Sequence, residues 1–521
     1  MLTKPHNSSP DAALENHNLY SQFSQRFPAD RQSSALETPD GTSISYAELD
    51  TRSAQMANFL TNLGLQQGDR VTAQIEKSPE GLYLYLGCIR AGYVFHPLNT
   101  AYQRAELDYF IGNAEPSVII CDDQFAAVIQ SLATNHKVKH CFTLQADGQG
   151  TLMDASRDSA PEFKTVENTV DDLAALLYSS GTTGRPKGIE LTHGNLVSNA
   201  TTLVSLWGFT NKDVLLHALP IFHVHGLFIA IGCALMSGAK LLYQPKFDVR
   251  QVISALPRAT VMMGVPTFYT RLLAEADFGE AHCQSMRLFI SGSAPLLEET
   301  FEQFAGRSGH RILERYGMSE TGMNTSNPLH GERKPGTVGP TLPDVSARVV
   351  NEAGVVLATG EVGDLQVKGP NVFRGYWRMP EKTADDFTDD GYFDTGDKAC
   401  IDADGYVAIV GRAKDMVISG GLNIYPKEVE LVMDELDGVL ESAIIGVPHS
   451  DFGEAVVAVV VLSGNQAEKS QEDQIIASTR NELANYKVPK RVIFVDALPR
   501  NTMGKVQKAA LRQQYASLFV E

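Results

Sequence analysis

The sequence lacks an excess of positive charge. Lysine and arginine together number 44 against 62 aspartates and glutamates, which gives a formal net charge of −18 over 521 residues. Nucleic-acid binding depends on cationic surface that neutralises phosphates. The balance therefore excludes nucleic acid as the expected partner. Any anionic ligand must be held by local cations and backbone N–H groups.

The sequence also lacks close cysteine pairs and long apolar runs. Its six cysteines are far apart, so no C-x-x-C pair for zinc is present, and we predict free thiols in a reducing compartment. The first residues are polar and contain no apolar core of a secretory signal. The most apolar long stretch, Leu227 to Met236, is about half of the ~20 residues that span a bilayer. We expect a cytoplasmic protein without membrane contact.

Short apolar runs alternate with helix-like segments over several hundred residues. Val118–Cys121, Lys240–Tyr243 and Leu288–Ser291 have the pattern of buried strands. This order predicts α/β layers around largely parallel sheets. From about Val345, turn signals between β-rich runs predict antiparallel hairpins. Past Arg412 the pattern restarts as a compact α+β unit, so we predict a large N-terminal domain over residues 1–413 and a small, mobile C-terminal domain over residues 414–521.

One polar segment is suited to binding a polyphosphate. Residues 178–188, YSSGTTGRPKG, follow a predicted strand and precede a predicted helix that begins near Thr192. Their glycines, hydroxyls and two cations offer many donors to phosphate oxygens, although the spacing is not that of a Walker A loop. The alternative is a surface turn.

Three later segments carry further candidates. In residues 314–321, ERYGMSET, a tyrosine can stack on a base and a carboxylate can hold Mg²⁺, although an exposed helix start explains the segment nearly as well. In YFDTGD, Asp397 can accept both ribose hydroxyls, or it is a turn aspartate. In LPRNTMGK, Lys505 lies on a glycine-containing loop and is either delivered to a site or merely solvated.

The order of these segments resembles the acyl-adenylate-forming family, which includes acyl-CoA synthetases, peptide-synthetase adenylation domains and firefly luciferase. The resemblance runs from about Phe23 to the C-terminus, with Ser319 where the family more often has threonine. It implies a two-step reaction with ATP, Mg²⁺ and coenzyme A. A carboxylate attacks the α-phosphorus of ATP, and a thiol then displaces AMP from the acyl adenylate.

The resemblance also implies a role for each matching residue. Lys505 is the catalytic lysine that contacts the carboxylate and the α-phosphate, Glu320 binds Mg²⁺, and Ser319 contacts the α-phosphate. Lys414 matches a hinge, and Gly420 with Gly421 matches the loop used in thioester formation. The implied ATP-binding residues are Ser180, Gly181, Thr182, Thr183, Gly184, Lys187, Gly292, Ser293, Ala294, Pro295, Glu314, Arg315, Tyr316, Gly317, Asp397 and Arg412.

Two arginines near the expected acyl pocket indicate a substrate with a second carboxylate. Arg271 lies on a predicted helix and Arg315 directly precedes Tyr316. A buried guanidinium is costly unless paired, and a carboxylate is its best small partner. We predict that Arg271 receives the distal carboxylate, with His223, Ser293 and Arg315 around the acid. The alternative for Arg271 is a salt bridge on a helix face, and a metal site on the histidines is excluded because no further Cys/His cluster completes it.

These segments are most similar to family members that activate malonate. The expected activity is ligation of malonate to coenzyme A through malonyl-AMP, with release of AMP and pyrophosphate. The alternative is methylmalonate or another short or medium-chain acid, since one methylene changes binding by only ~1–3 kcal/mol. A peptide-synthetase module is disfavoured because sixteen residues follow Lys505. A retired nucleotide sensor is disfavoured because Lys505 is kept. We expect a monomer or a weak homo-oligomer.

Replacing Lys505 should separate the two half-reactions. The variant Lys505→Ala should lose adenylate formation, because the cation that offsets the repulsion between two anions is gone. It should still convert preformed malonyl-AMP and coenzyme A to the thioester. Pyrophosphate exchange and thioester formation measure the two steps, and equal loss of both would contradict the assigned role.

Overall fold

The computed structural model describes residues 16–179, 186–293, 296, 298–412, 417–424, 426–462, 469–499 and 506–519. The helices in these ranges are α1 (Leu19–Ser24), α2 (Tyr46–Asn62), α3 (Pro79–Arg90), α4 (Arg104–Ala114), α5 (Ala126–Asn135), α6 (Thr151–Ser156), α7 (His193–Leu206), α8 (Ile231–Ser237), α9 (Val249–Ala255), α10 (Pro266–Ala274), α11 (Glu280–Cys283), α12 (Glu298–Ser308), α13 (Pro380–Asp386), α14 (Pro426–Asp434), α15 (Lys469–Glu482) and α16 (Lys508–Gln514). None of them is both long and apolar enough to cross a membrane.

The strands belong to four sheets. They are β1 (Ser34–Glu37), β2 (Ser43–Ser45), β3 (Arg70–Gln74), β4 (Val94–Pro97), β5 (Val118–Cys121), β6 (His140–Thr143), β7 (Leu173–Ser179), β8 (Lys187–Thr192), β9 (Val214–His217), β10 (Lys240–Tyr243), β11 (Val261–Gly264), β12 (Leu288–Ser291), β13 (Leu313–Met318), β14 (Gly322–Ser326), β15 (Ser346–Val350), β16 (Gly363–Lys368), β17 (Gly375–Tyr376), β18 (Phe393–Ile401), β19 (Val407–Arg412), β20 (Val417–Ser419), β21 (Leu422–Ile424), β22 (Val439–His449), β23 (Gly453–Leu462) and β24 (Arg491–Phe494).

Two mainly parallel sheets form the centre of the large domain. One has the order β14-β13-β12-β11-β9-β10-β1-β2 and the other has the order β17-β8-β7-β4-β3-β5-β6. Their inner strands are apolar runs with every residue buried, as in β5, β11 and β12, because helices cover both faces. A continuous hydrophobic core joins the two sheets.

The remaining sheets lie towards the C-terminus. Strands β15, β16, β18 and β19 pair antiparallel, as the turn signals predict. In the small domain, alternate residues of β22 and β23 point to two separate hydrophobic clusters, which lie on the two faces of its sheet. The predicted α/β class with a β-rich subdomain and a small α+β domain is confirmed. The predicted boundary after residue 413 lies outside the described residues.

Leu216 tests the core of the larger sheet. It is fully buried in β9, where it pairs with Leu242 on one side and Met262 on the other. The variant Leu216→Ala should lower the free energy of unfolding of the large domain by about 2–5 kcal/mol, because a cavity replaces the side chain. Urea denaturation measures the change. Val355→Ala, at a position that is 59% exposed, is the control and should change stability little.

Candidate active site

An open cavity lies between the two domains. The carboxyl ends of β4, β7 and β13 and the loop after β9 form its wall on the large domain, and Leu422 and Tyr486 form its wall on the small domain. Ligands in α/β proteins commonly bind at the carboxyl ends of the strands. The cavity contains three of the sequence-predicted residues, His223, Ser319 and Glu320.

The residues predicted to contact adenine and ribose are neighbours. The phenol of Tyr316 in β13 donates a 2.5 Å hydrogen bond to Oδ2 of Asp397 in β18. Both side chains are buried. Asp397 is also the register partner of Arg412 across β18 and β19, although the side chain of Arg412 lies outside the described residues. A carboxylate can accept hydrogen bonds from ribose hydroxyls, and an aromatic ring can stack on a base. The pair is therefore suited to a nucleoside.

The segment predicted to bind phosphates begins where β7 ends. Ser179 Oγ donates a 3.1 Å hydrogen bond to Oε1 of Glu320. Lys187, at the start of β8, is buried with its Nζ 3.7 Å from Asp386 and 4.5 Å from the ring centroid of Tyr376. Burial lowers the pKa of Lys187, and Asp386 opposes the shift. The predicted phosphate-loop residues 180–184 lie outside the described residues.

Glu320 fits the role of a magnesium ligand. Its carboxylate is buried at the cavity wall. Across the described ranges, no group of three or more His, Cys, Asp and Glu side chains is arranged to hold a metal. Mg²⁺ is usually bound by one or two carboxylates together with substrate phosphates and water. The donor set therefore suits Mg²⁺ delivered with a nucleotide and does not suit a metal held by the protein alone.

Two histidines of the predicted acyl segment are neutral, with His225 buried and His223 half-buried. Burial and the nearby Arg315 guanidinium lower the pKa of His223 to about 4. The same two causes hold the pKa of His225 well below its usual value. His225 Nδ1 lies 3.2 Å from Ser293 Oγ, and Ser293 has a left-handed backbone with φ of 71°. Non-glycine residues in this region are strained and cluster at functional sites.

Arg315 is a buried cation without a counter-ion among the described residues. It is 3% exposed, and its Nε and Nη2 have no hydrogen-bond partner there. Burial lowers its pKa to about 9, which still leaves it charged at neutral pH. Gly292 packs directly on the guanidinium, since a Cβ at this position would lie 2.2 Å from Cζ. The backbone at Gly292 is therefore fitted to a charge that none of the residues in the described part of the chain neutralises.

Arg271 has a different environment. Its side chain in α10 is 44% exposed and donates a 3.3 Å hydrogen bond to Asp451 of the small domain. Neither Arg271 nor Arg315 is among the described residues that line the cavity wall. The alternative of a salt bridge on a helix face is thus present in this structure, and the substrate role of Arg271 stays a prediction.

The interpretation of residues 314–321 as an exposed helix start is wrong. The segment forms β13 and the turn into β14, which pair antiparallel. Gly317 allows this close pairing, because a Cβ there would lie 1.8 Å from the carbonyl oxygen of Gly322. Glu314 is buried in β13, and burial raises its pKa to about 8.

The glycine-rich loop of the small domain lies against the large domain. Gly420 and Gly421 connect β20 and β21 with φ of 58° and 78°, and Gly421 packs on Val265, the residue before α10. The next residue, Leu422, reaches the cavity. The predicted residues Ala294, Pro295, Lys414 and Lys505 lie outside the described residues.

Sequence reasoning missed several residues around the cavity. Tyr102 and Tyr486 form part of its wall from opposite domains. Lys77, which is not among the described residues of that wall, is buried with its Nζ 2.6 Å from Nδ1 of His217 at the end of β9. Tyr486 directly precedes a lysine and lies nineteen positions before Lys505 in the sequence. No local sequence pattern indicates that it meets Tyr102 at the cavity.

Comparison with known proteins agrees with this geometry. Residues 22–377 match the family of AMP-binding enzymes, and residues 428–505 match the C-terminal domain of AMP-binding enzymes. The crystal structure of ATP-bound MatB from Rhodopseudomonas palustris superimposes with a TM-score of 0.77 at 53% identity, covering 97% of this chain and 100% of that chain.

Two curated relatives are similar over most of their length. The malonate–CoA ligase of Arabidopsis thaliana is 33% identical, covering 91% of this chain and 85% of the relative. The feruloyl-CoA synthase of an Amycolatopsis species is 36% identical, covering 91% of this chain and 94% of the relative. The chain therefore belongs to the AMP-binding enzyme family, as an AMP-forming acid–thiol ligase.

Proposed function

We propose that this enzyme joins malonate to coenzyme A with ATP, through a malonyl adenylate. The observation that carries the proposal is the buried, charged Arg315, which has no hydrogen-bond partner among the described residues. A buried guanidinium gains most from a carboxylate that accepts two parallel hydrogen bonds. One carboxylate of the substrate reacts, so a second carboxylate is needed to neutralise Arg315.

The neutral histidines are suited to orient the reacting carboxylate. His223 lies on the cavity wall, and its pKa of about 4 keeps it uncharged at neutral pH. An uncharged imidazole can orient a carboxylate by a hydrogen bond without forming an ion pair that reduces its nucleophilicity. In this proposal Arg315, rather than the sequence-predicted Arg271, holds the distal carboxylate, and His223 with Ser293 orients the reacting one.

In the first step, an oxygen of the reacting carboxylate forms a bond to the α-phosphorus of ATP, and pyrophosphate leaves. Asp397 and Tyr316 would hold the nucleoside, and Ser179 with Lys187 would lie on the phosphate side. Glu320 would hold Mg²⁺, which when bound offsets negative charge on the phosphate oxygens. Lys505 supplies the further cation that the family resemblance implies.

In the second step, the coenzyme A thiolate attacks the acyl carbon. The carbon–sulfur bond forms, the bond from that carbon to the phosphate oxygen breaks, and AMP leaves. Gly420 and Gly421 support this assignment, because their loop reaches the large domain beside the cavity. Lys414 would act as the hinge between the two steps.

Methylmalonate is the second candidate substrate, because it has the same two carboxylates and differs by one methyl group. Discrimination of one methyl group is worth only ~1–3 kcal/mol.

Three further properties stay predictions. They are the division into domains at residues 1–413 and 414–521, a cytoplasmic location, and a monomeric or weakly oligomeric state.

The substrate class can be tested by coenzyme-A-dependent AMP formation. Malonate should give the highest kcat/KM in a panel with methylmalonate, succinate, acetate and octanoate, because it has the second carboxylate that Arg315 requires and lacks the additional methyl group of methylmalonate. The ATP and Mg²⁺ concentrations stay fixed across the panel. A preference for acetate or octanoate would contradict a dicarboxylate site.

The two arginines can be distinguished by matched substitutions. Arg315→Met should lower kcat/KM for malonate by about 100-fold or more, because the distal carboxylate loses its buried partner. Arg271→Met should lower it by less than about threefold, since its ion pair is half-exposed. The KM for ATP should change little in both variants. Selective loss of malonate turnover in Arg271→Met alone would assign the distal carboxylate to Arg271.

A further inference from the structure

A buried lysine connects the two domains beside the cavity. Lys487 of the small domain places its Nζ 2.8 Å from Oε1 of Glu106 and 2.7 Å from Oε1 of Glu428. Glu106 lies in α4 of the large domain, whereas Glu428 lies in α14 of the small domain. The side chain of Lys487 is 2% exposed. One member of this ion cluster therefore comes from the opposite domain.

The cluster is strong because water is excluded from it. Burial alone lowers the pKa of Lys487, but the surrounding groups, including Tyr486 and both glutamates, outweigh burial and raise it well above its usual value. The Nζ also lies 4.8 Å from the ring centroid of Tyr102. Removing one partner of a buried ion pair leaves an uncompensated charge and is far more damaging than loss of a surface pair.

The position of the cluster links it to the cavity. Tyr102 and Tyr486, whose rings flank the Lys487 ammonium, both form part of the cavity wall. In the same domain orientation, Gly421 packs on Val265 and Leu422 reaches the cavity. The Glu106–Lys487 contact and the position of the glycine-rich loop at the cavity occur in the same domain orientation. A large rotation of the small domain would separate Glu106 from Lys487.

We propose that Glu106 is a positioning residue for thioester formation. Its contact with Lys487 holds the small domain in the orientation that brings the loop of Gly420 and Gly421 to the cavity. The family resemblance implies that adenylate formation uses a different orientation, so Glu106 is expected to act on one half-reaction. The inference rests on the proposed two-step function, but it does not depend on which acid is the substrate.

The variant Glu106→Gln tests the proposal. Glutamine keeps the size and can still accept the hydrogen bond that the backbone N–H of Gln103 donates to Glu106, but it lacks the charge that pairs with Lys487. Thioester formation from preformed acyl adenylate and coenzyme A should slow by about tenfold or more. ATP–pyrophosphate exchange should stay within about twofold of the wild-type rate.

Asp108→Asn is the matched control. Asp108 lies on the same helix, is exposed, and contacts His136 within the large domain. The same loss of a carboxylate charge there should leave both half-reactions unchanged. A second variant, Lys487→Met, should also slow thioester formation selectively, and the double variant with Glu106→Gln should lose less than the product of the two single effects, because they remove one contact.

Two results would overturn the proposal. Equal loss of both half-reactions in Glu106→Gln would indicate a general structural role, and an unchanged rate of thioester formation would show that the contact positions nothing. The assays use whichever acid the wild-type enzyme converts, together with its adenylate. Failure of the malonate assignment would appear in the wild-type protein and is therefore distinguishable from failure of the positioning role.

Discussion

The proposed acyl site depends on one buried positive charge, which has no counter-ion among the described residues. The guanidinium of Arg315 is surrounded by the backbone of Gly292, by Tyr269 and by neutral His223 and His225. Desolvation of such a charge costs several kcal/mol even after local relaxation. The packing of β12 and β13 holds the guanidinium in place. We propose that the distal carboxylate of the substrate neutralises it.

A second buried cation lies at the interface between the two domains, and there the protein does supply counter-ions. Lys487 is also buried, but there the protein supplies carboxylates from both domains. An ion cluster that includes partners from two rigid bodies favours one relative orientation of them. The half-exposed contact between Arg271 and Asp451 crosses the same interface but is accessible to water, so it contributes far less to the choice of orientation.

The amino-acid pattern predicted much of the fold because its central strands are fully buried. Val118–Cys121, Lys240–Tyr243 and Leu288–Ser291 are strands with the predicted bounds. The turn between β13 and β14 could not be predicted in this way, since its polar residues also suit a helix start and its pairing depends on Gly317 and Gly322.

Candidate site residues could be named from the sequence where each lies within a short motif, and their roles stay predictions. The neighbouring positions of Tyr316 and Asp397 agree with the adenine and ribose roles that the family resemblance implied, whereas the relative burial of Arg271 and Arg315 has no local signature. The contact between Glu106 and Lys487 joins residues 381 positions apart and depends on domain orientation.

The most direct measurement is a crystal structure of the enzyme with malonate and AMP. We expect the distal carboxylate to lie against the Arg315 guanidinium, with two N–O distances of about 2.7–2.9 Å. The reacting carboxylate would then lie beside His223. A distal carboxylate bound to Arg271, or exposed to solvent with Arg315 still lacking an anionic partner, would contradict the central claim.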